Sequence, residues 1–433
     1  MKHKFISTLL SLSLIFSASS NVFAASTVNA SAPELAAKTA VAIDASTGEV
    51  IYSKQLDEKI YPASTTKLLT AILFTENKKP SDILSYSKSA FDQPTASINK
   101  DLHPLKVGEK ISADNVMKGL LMYSANDMAY VIASNLLNNI NDTDADTTNK
   151  FSAIMNKKVQ SLGLKNTHFV TANGLHDPNH YSTAYDMSQI AKVAFSNDWI
   201  LKTISTQKST FATVDGINLP LENRNKLILP KESVYDQTCI GGKTGYTSEA
   251  GKCLIAIFNR NGRKIIGVVM DSLYDQKDLQ ASKDMENLIN YSYTLTPTTL
   301  YKSGSKYTTV KLSYKPFKLF GPTKTVDVPL IVKENVNYFK NPVNDAEKVL
   351  VQNISNINPW KLNTDTSVGT LTLKERGVTK NYKLYSSLST KDLISDNKLL
   401  YGASALAIIA ALAILITLIY KIVKLFTRKK TYF

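Results

Sequence analysis

From Leu399 to Tyr420 the chain runs 22 residues without a charge, rich in Ala, Leu and Ile. At about 1.5 Å of rise per residue, a helix of that length crosses a hydrocarbon core of roughly 30 Å. A helix apolar all round for this length rarely belongs to a soluble core, so the segment predicts a transmembrane anchor at 399–420. Five cations follow it, Lys421, Lys424, Arg428, Lys429 and Lys430. The positive-inside rule puts this basic tail, 421–433, in the cytoplasm and the body of the chain outside the cell.

The other end agrees with export. Lys2 and Lys4, the apolar stretch Phe5 to Phe16 and Val22-Phe23-Ala24 read as a secretory signal at 1–24, cleaved after Ala24. An uncleaved anchor helix is the alternative, but the stretch is short and interrupted by serines. Net charge is +15, and seven of the cations lie in the two end segments, which leaves +8 for the body. That balance suits an anionic envelope and equally suits plain solubility. No cluster of basic and aromatic residues points to nucleic acid, and export argues against it. Two cysteines, Cys239 and Cys253, lie in an oxidising compartment. If the hairpin between them turns near Glu249, Cys239 faces Asn259 rather than Cys253, which reads as two free, buried thiols.

About 375 residues remain between the ends, enough for two domains. Residues 35–295 read as one mixed domain. Thr39 to Asp44 and Glu49 to Lys54 form a hairpin around Ala45-Ser46-Thr47-Gly48, and Ser64 to Phe74 a helix after Pro62. Val116, Leu120 and Tyr123 line a second helix, Met128 to Leu137 continues after a break, and Gly163 stops a helix through Phe151. Strands then dominate: Ile240 to Tyr246, Lys252 to Asn259 and Lys264 to Met270, the last two joined by Asn261-Gly262. A helix over Ala281 to Tyr293 would cover them. The fold class is α/β (α+β), an antiparallel sheet covered by terminal helices with a helical insert between early and late strands. Residues 300–395, with alternating runs at Tyr307 to Leu312 and Val326 to Val332, read as a small all-β domain. Lys391 to Lys398 links it to the anchor.

Three short polar elements carry the chemistry: Ser64-Thr65-Thr66-Lys67, Ser124-Ala125-Asn126 and Lys243-Thr244-Gly245. The Ser-x-x-Lys spacing recurs at Ser85, Ser97, Ser205, Ser303 and Ser395, and a literal Ser-Asp-Asn stands at Ser395 to Asn397. Only Ser64 opens a well-formed helix. Three residues apart on a helix, Ser64 and Lys67 share a face. A serine hydroxyl needs a base, and a lysine serves if burial or a neighbouring cation lowers its pKa. At a helix start, the N–H of Ser64 is also free to face a developing oxyanion. Ser124 and Asn126 fall at a helix break, where a plain capping serine is the bland alternative. Gly245 lets a substrate backbone pass, while Lys243 and Thr244 offer a cation and a hydroxyl to a carboxylate; a solvated edge-strand lysine is the competing reading.

With its surroundings, the pattern resembles the low-molecular-mass penicillin-binding proteins, serine-type D-alanyl-D-alanine carboxypeptidases. The likeness covers most of 35–295. It includes Ala42-Ile43-Asp44-Ala45, Tyr61-Pro62-Ala63, Asn173-Gly174-Leu175-His176-Asp177, His180 to Ala184, and Gly242 to Tyr246 with Ala250-Gly251. The resemblance implies a β-lactamase/transpeptidase-like catalytic domain that hydrolyses peptidoglycan stem peptides ending in D-Ala-D-Ala and is acylated by β-lactams, without metal or cofactor. By that resemblance Ser64 is the nucleophile and Lys67 its base, Ser124 relays a proton, and Asn126 holds Lys67 and the substrate amide. Lys243, Thr244 and, by weaker analogy, Arg224 bind the terminal carboxylate, and the N–H groups of Ser64 and Tyr246 form the oxyanion hole.

Rival readings are weaker. The histidines have no Gly-x-Ser-x-Gly nucleophile to serve. His176, Asp177 and His180 lack the spacing of a helical zinc motif. A β-lactamase would need a glutamate base for rapid deacylation, and no glutamate is identifiable from the sequence as that base, so turnover of penicillin is expected to be slow. A catalytically silent wall-binding ectodomain has no need of the polar groups present.

Overall fold

A computed structural model describes residues 32–429; the predicted signal segment and the end of the basic tail lie outside them. Strands β1 (Thr39–Asp44) and β2 (Val50–Lys54) form the expected hairpin. Helix α1 (Lys67–Thr75) follows a 3-10 turn, Ala63–Thr66, so Ser64 lies in a tightened lead-in rather than in the α-helix itself. The insert contains α2 (Asn126–Leu136) and α3 (Ala184–Phe195). The sequence reading left α3 and the helix Asp198–Ser205 unassigned, although Thr183 and Asn197 cap them with their side chains. Strands β3 (Cys239–Thr247), β4 (Gly251–Arg260) and β5 (Arg263–Ser272) complete an antiparallel sheet ordered β2-β1-β5-β4-β3, and α4 (Gln280–Thr294) comes next.

Side chains alternate across this sheet, and each face has its own core. Val41, Ile43, Ile255, Ile257, Ile266 and Val268 pack with α1, α2 and α3. Ala40, Ala42, Leu254, Phe258 and Val269 pack with Met285, Leu288 and Ile289 of α4. Strand β3 is therefore an outer strand with its free edge towards the helical insert, beside the turn that carries Ser64.

The β3–β4 register places Cys239 opposite Phe258, one residue from the expected Asn259, because the ladder shifts between Cys239 and Gly241. Both cysteines are buried and free. Burial pushes each thiol up to about 12, which keeps them protonated.

Beyond α4, strands β6 (Lys306–Tyr314), β7 (Lys324–Val332), β8 (Val349–Ile354), β9 (Ser367–Glu375) and β10 (Val378–Ser386) form a second antiparallel sheet, ordered β6-β7-β10-β9-β8. The region is not all strand, since Pro342–Glu347 and Thr390–Asp396 are helical. The second of these replaces the expected linker. Its Ser-Asp-Asn is structural: the buried Asn397 donates to Tyr314 Oη at 2.8 Å and accepts from Lys324 Nζ at 2.7 Å. The second sheet contacts the first through Glu49 at the start of the β1–β2 return. Glu49 is buried, accepts the Phe339 N–H at 2.8 Å and meets Lys380 Nζ at 2.6 Å. A final helix, α5 (Lys398–Lys429), includes the apolar run.

Candidate active site

Ser64 stands where two constraints meet. Ala63 has φ +47°, a left-handed conformation that a residue with a Cβ avoids. Gly174 packs against its carbonyl so closely that a Cβ there would lie 1.9 Å from Ala63 O. From the other side, a Cβ on Gly245 would lie 3.0 Å from the Ser64 nitrogen. The glycine expected to clear a path for substrate thus also lets β3 run directly against the backbone of Ser64.

Lys67 is fully buried, and its Nζ has three neighbours. Ser64 Oγ lies at 2.7 Å, Asn126 Oδ1 at 2.9 Å and the Asn173 carbonyl at 2.7 Å. Two of these can only accept. A neutral amine has two N–H groups for them and a lone pair left for the third partner, the Ser64 hydroxyl. With the lysine deprotonated, the cage leaves its lone pair facing the serine O–H. Burial pushes the Lys67 pKa well below its ordinary 10.5, and the charges of Lys243 and Arg224 push it further, while Asp127 opposes them.

Ser124 has φ +67° and ends a π-helical turn, Gly119–Tyr123, before α2 begins. The π-turn and left-handed residue break the helix, and the Ser124 side chain makes no cap. Its Oγ instead accepts from Lys243 Nζ at 2.7 Å. Lys243 is buried rather than solvated, and its pKa too is lowered, by burial first and then by Arg224. Asn126 accepts from Lys67 while its Nδ2 donates to Thr95 O at 2.9 Å, so the amide expected to hold a substrate already has a backbone partner.

The hydroxyls of Ser64 and Ser124 open onto a cavity of about 660 Å³, with Thr244, Gly245, Tyr246 and Arg224 around it. Arg224 is exposed, its guanidinium 4.2 Å from the centre of the Tyr123 ring. All nine sequence-predicted residues thus come together: five in two hydrogen-bonded groups on the floor, four along the walls.

Three supporting residues had no role assigned from sequence, although Asn173 and His180 lie in stretches that carry the resemblance. Asn173 acts through its carbonyl, and its Nδ2 donates to Gln93 Oε1 at 2.8 Å. His180 is buried, with Nδ1 accepting from the Val170 N–H at 3.0 Å and Nε2 2.9 Å from Thr66 Oγ1. Burial lowers it to about 3, so it stays neutral and pins the 170s loop to the Ser64 turn. With both ring nitrogens engaged, it has none to offer the metal weighed for His176, Asp177 and His180. Asp127 accepts from the Ile98, Asn99 and Met128 N–H groups and from Tyr86 Oη, fixing the loop that holds Asn126. The first turn of a helix is a favourable place for such a carboxylate, and here the sequence did carry a signal.

Asp127 yields a prediction. Burial raises its pKa from 3.8 to about 6, so the folded state holds the proton more tightly than the unfolded one. Its contribution to stability is complete below about 3.8 and is lost as pH rises through about 6. Asp127→Asn leaves backbone donors unpaired, which costs about 1–3 kcal/mol. In thermal melts, the gap between wild type and variant should be widest near pH 4 and narrow towards pH 7.

Residues 26–273 match the family described as D-alanyl-D-alanine carboxypeptidase. The chain belongs to that family. Among its relatives, DacF of Bacillus subtilis, a D-alanyl-D-alanine carboxypeptidase, is 30% identical over 342 residues, 79% of this chain and 82% of the relative. DacD of Escherichia coli, another D-alanyl-D-alanine carboxypeptidase, is 31% identical over 55% of this chain and 59% of its own. Among solved structures, a Streptomyces DD-transpeptidase is similar with a TM-score of 0.53 at 29% identity, covering 61% of this chain and 99% of that one. Membership of the carboxypeptidase family makes the chain a serine-peptidase hydrolase acting on peptidoglycan.

Proposed function

We propose that this carboxypeptidase removes the terminal D-alanine from peptidoglycan stem peptides through an acyl-enzyme on Ser64. The observation that carries the reading is the caged Lys67 amine beside the Ser64 hydroxyl. Ser64 Oγ attacks the carbonyl carbon between the two last D-alanines as its proton passes to Lys67 Nζ. The Ser64 and Tyr246 N–H groups receive the oxyanion. The C–N bond then breaks as Ser124, backed by Lys243, delivers its proton to the departing amine and takes in exchange the one that Lys67 received from Ser64. Lys243, Thr244 and Arg224 hold the terminal carboxylate. Asn126 keeps Lys67 in place, its contact with Thr95 supporting this positioning role. Water cleaves the ester and returns the proton to Ser64.

Penicillin would stop at the ester. Three carboxylates line the cavity, Glu222, Glu232 and Asp278; Lys231 ties Glu222, Lys252 ties Asp278 at 2.6 Å, and none of the three is hydrogen-bonded to Ser64 or Lys67, which supports slow deacylation. The experiment is D-alanine release from a peptide ending in D-Ala-D-Ala. Wild type should release it, and Ser64→Ala should lose at least about three orders of magnitude, as expected when a nucleophile is removed. Equal release by the two would end the acyl-serine reading.

The same proposal extends to the layout: a signal at 1–24, a catalytic domain at 35–295, a small β-rich domain at 300–395 and a single span at 399–420 with 421–433 in the cytoplasm. Lys398–Thr427 is long and apolar enough to cross a membrane, and its most apolar stretch is not buried against the rest of the protein, which supports the span. Catalysis would then take place outside the cell, where peptidoglycan is.

A further inference from the structure

The loop between β6 and β7 exposes two large apolar side chains at its tip. Leu319 is 87% and Phe320 65% exposed, after a turn in which Lys318 adopts φ +66°. Phe320 stacks on Phe317 with ring centres 4.9 Å apart. Phe317 in turn meets the Tyr401 ring edge-on at 5.4 Å, and Tyr401 Oη donates to Pro316 O at 2.7 Å. Tyr401 lies in the first turn of α5. Trp360 joins the same cluster, its Nε1 donating to Lys315 O at 3.1 Å and its ring against Tyr314. Lys315 and Lys318 are exposed beside the apolar tip.

Trp and Tyr gather where an apolar span enters the headgroup region, and lysines beside them meet anionic lipid. In water the Leu319–Phe320 tip has nothing to cover it. Its bond to the start of α5 fixes where it sits relative to that helix. We propose that loop 315–323 is a second membrane contact, in which Leu319 and Phe320 enter the acyl–headgroup boundary of the phospholipid leaflet where α5 begins. This rests on the proposed span of α5. A single helix would let the body pivot; the second contact sets its tilt, and with it the height of the Ser64 cavity above the bilayer.

The test uses the full chain in two sets of vesicles of phosphatidylcholine and phosphatidylglycerol, with acyl chains brominated near the headgroup in one and near the bilayer centre in the other. A tryptophan is added by Phe320→Trp, or independently by Leu319→Trp, and emission is read above the wild-type background of Trp199 and Trp360. The added emission should lose about half or more of its intensity to the bromines, as for a side chain in the acyl–headgroup boundary. Val214→Trp, on an exposed turn of the catalytic region, should lose none. Leu412→Trp, inside α5, reports on the span through deeper bromines. Quenching at 412 but at neither 319 nor 320 overturns the loop contact and leaves the span. No quenching at any of the three overturns both, and quenching at 214 as well would mean the contact is not specific to the loop.

Discussion

Lys67→Ala should slow acylation of Ser64 by about 10²–10⁴-fold, the usual range for loss of a positioned general base. Removing the amine leaves the Ser64 hydroxyl without a proton acceptor, because the other two walls of the cage, Asn126 Oδ1 and the Asn173 carbonyl, are amide oxygens and too weak as bases. Lys67→Arg should not rescue it. A guanidinium stays protonated and has no lone pair to offer. In wild type, the rate of acylation by labelled penicillin should rise with pH through the lowered pKa of Lys67 and then level. The sign follows from the cage: below that pKa the extra proton occupies the lone pair that Ser64 needs. An acylation rate that does not vary with pH, or an arginine variant that keeps its activity, would contradict this assignment.

Lys243→Ala should be felt twice. The first effect is on substrate. Losing a charge-assisted contact to the terminal carboxylate, worth about 1.5–3 kcal/mol, should lower kcat/KM by roughly 10–150-fold. The second effect is on Lys67. Lys243 is the largest nearby charge lowering its pKa, ahead of Arg224. Without it Lys67 holds its proton more readily, and the acidic limb of the acylation profile should move to higher pH. Arg224→Ala should move it the same way by less, and Asp127→Asn the opposite way. A loss of kcat/KM with an unmoved limb would reduce Lys243 to carboxylate binding alone.

Much of the site is local chemistry, which is why it could be read from sequence. Ser64 and Lys67 are fixed by helical spacing, and Lys243-Thr244-Gly245 by a strand between identifiable turns. Asn261-Gly262 announced its hairpin. What was not legible is made by partners distant in sequence or by backbone atoms. Nothing about the Asn173 side chain reveals that its carbonyl is the third wall of the Lys67 cage. The match of Gly174 to Ala63 depends on two loops more than a hundred residues apart. Ser395 satisfied two motifs literally and serves neither, because the fold spends Asn397 on Tyr314 and Lys324. The bond between Glu49 and Lys380 joins two regions that composition separates cleanly. The one-residue slip at Cys239 came from a bulge, which no alternation of side chains can show.

Among the tests above, the most direct for the central claim is to trap the acyl-enzyme. The full chain is incubated with labelled penicillin, digested, and the modified peptide is located by mass spectrometry. The label should reside on Ser64, be absent from Ser64→Ala, and form slowly in Lys67→Ala. Label on Ser124, Ser85 or Ser395, or undiminished label on Ser64→Ala, would contradict the account.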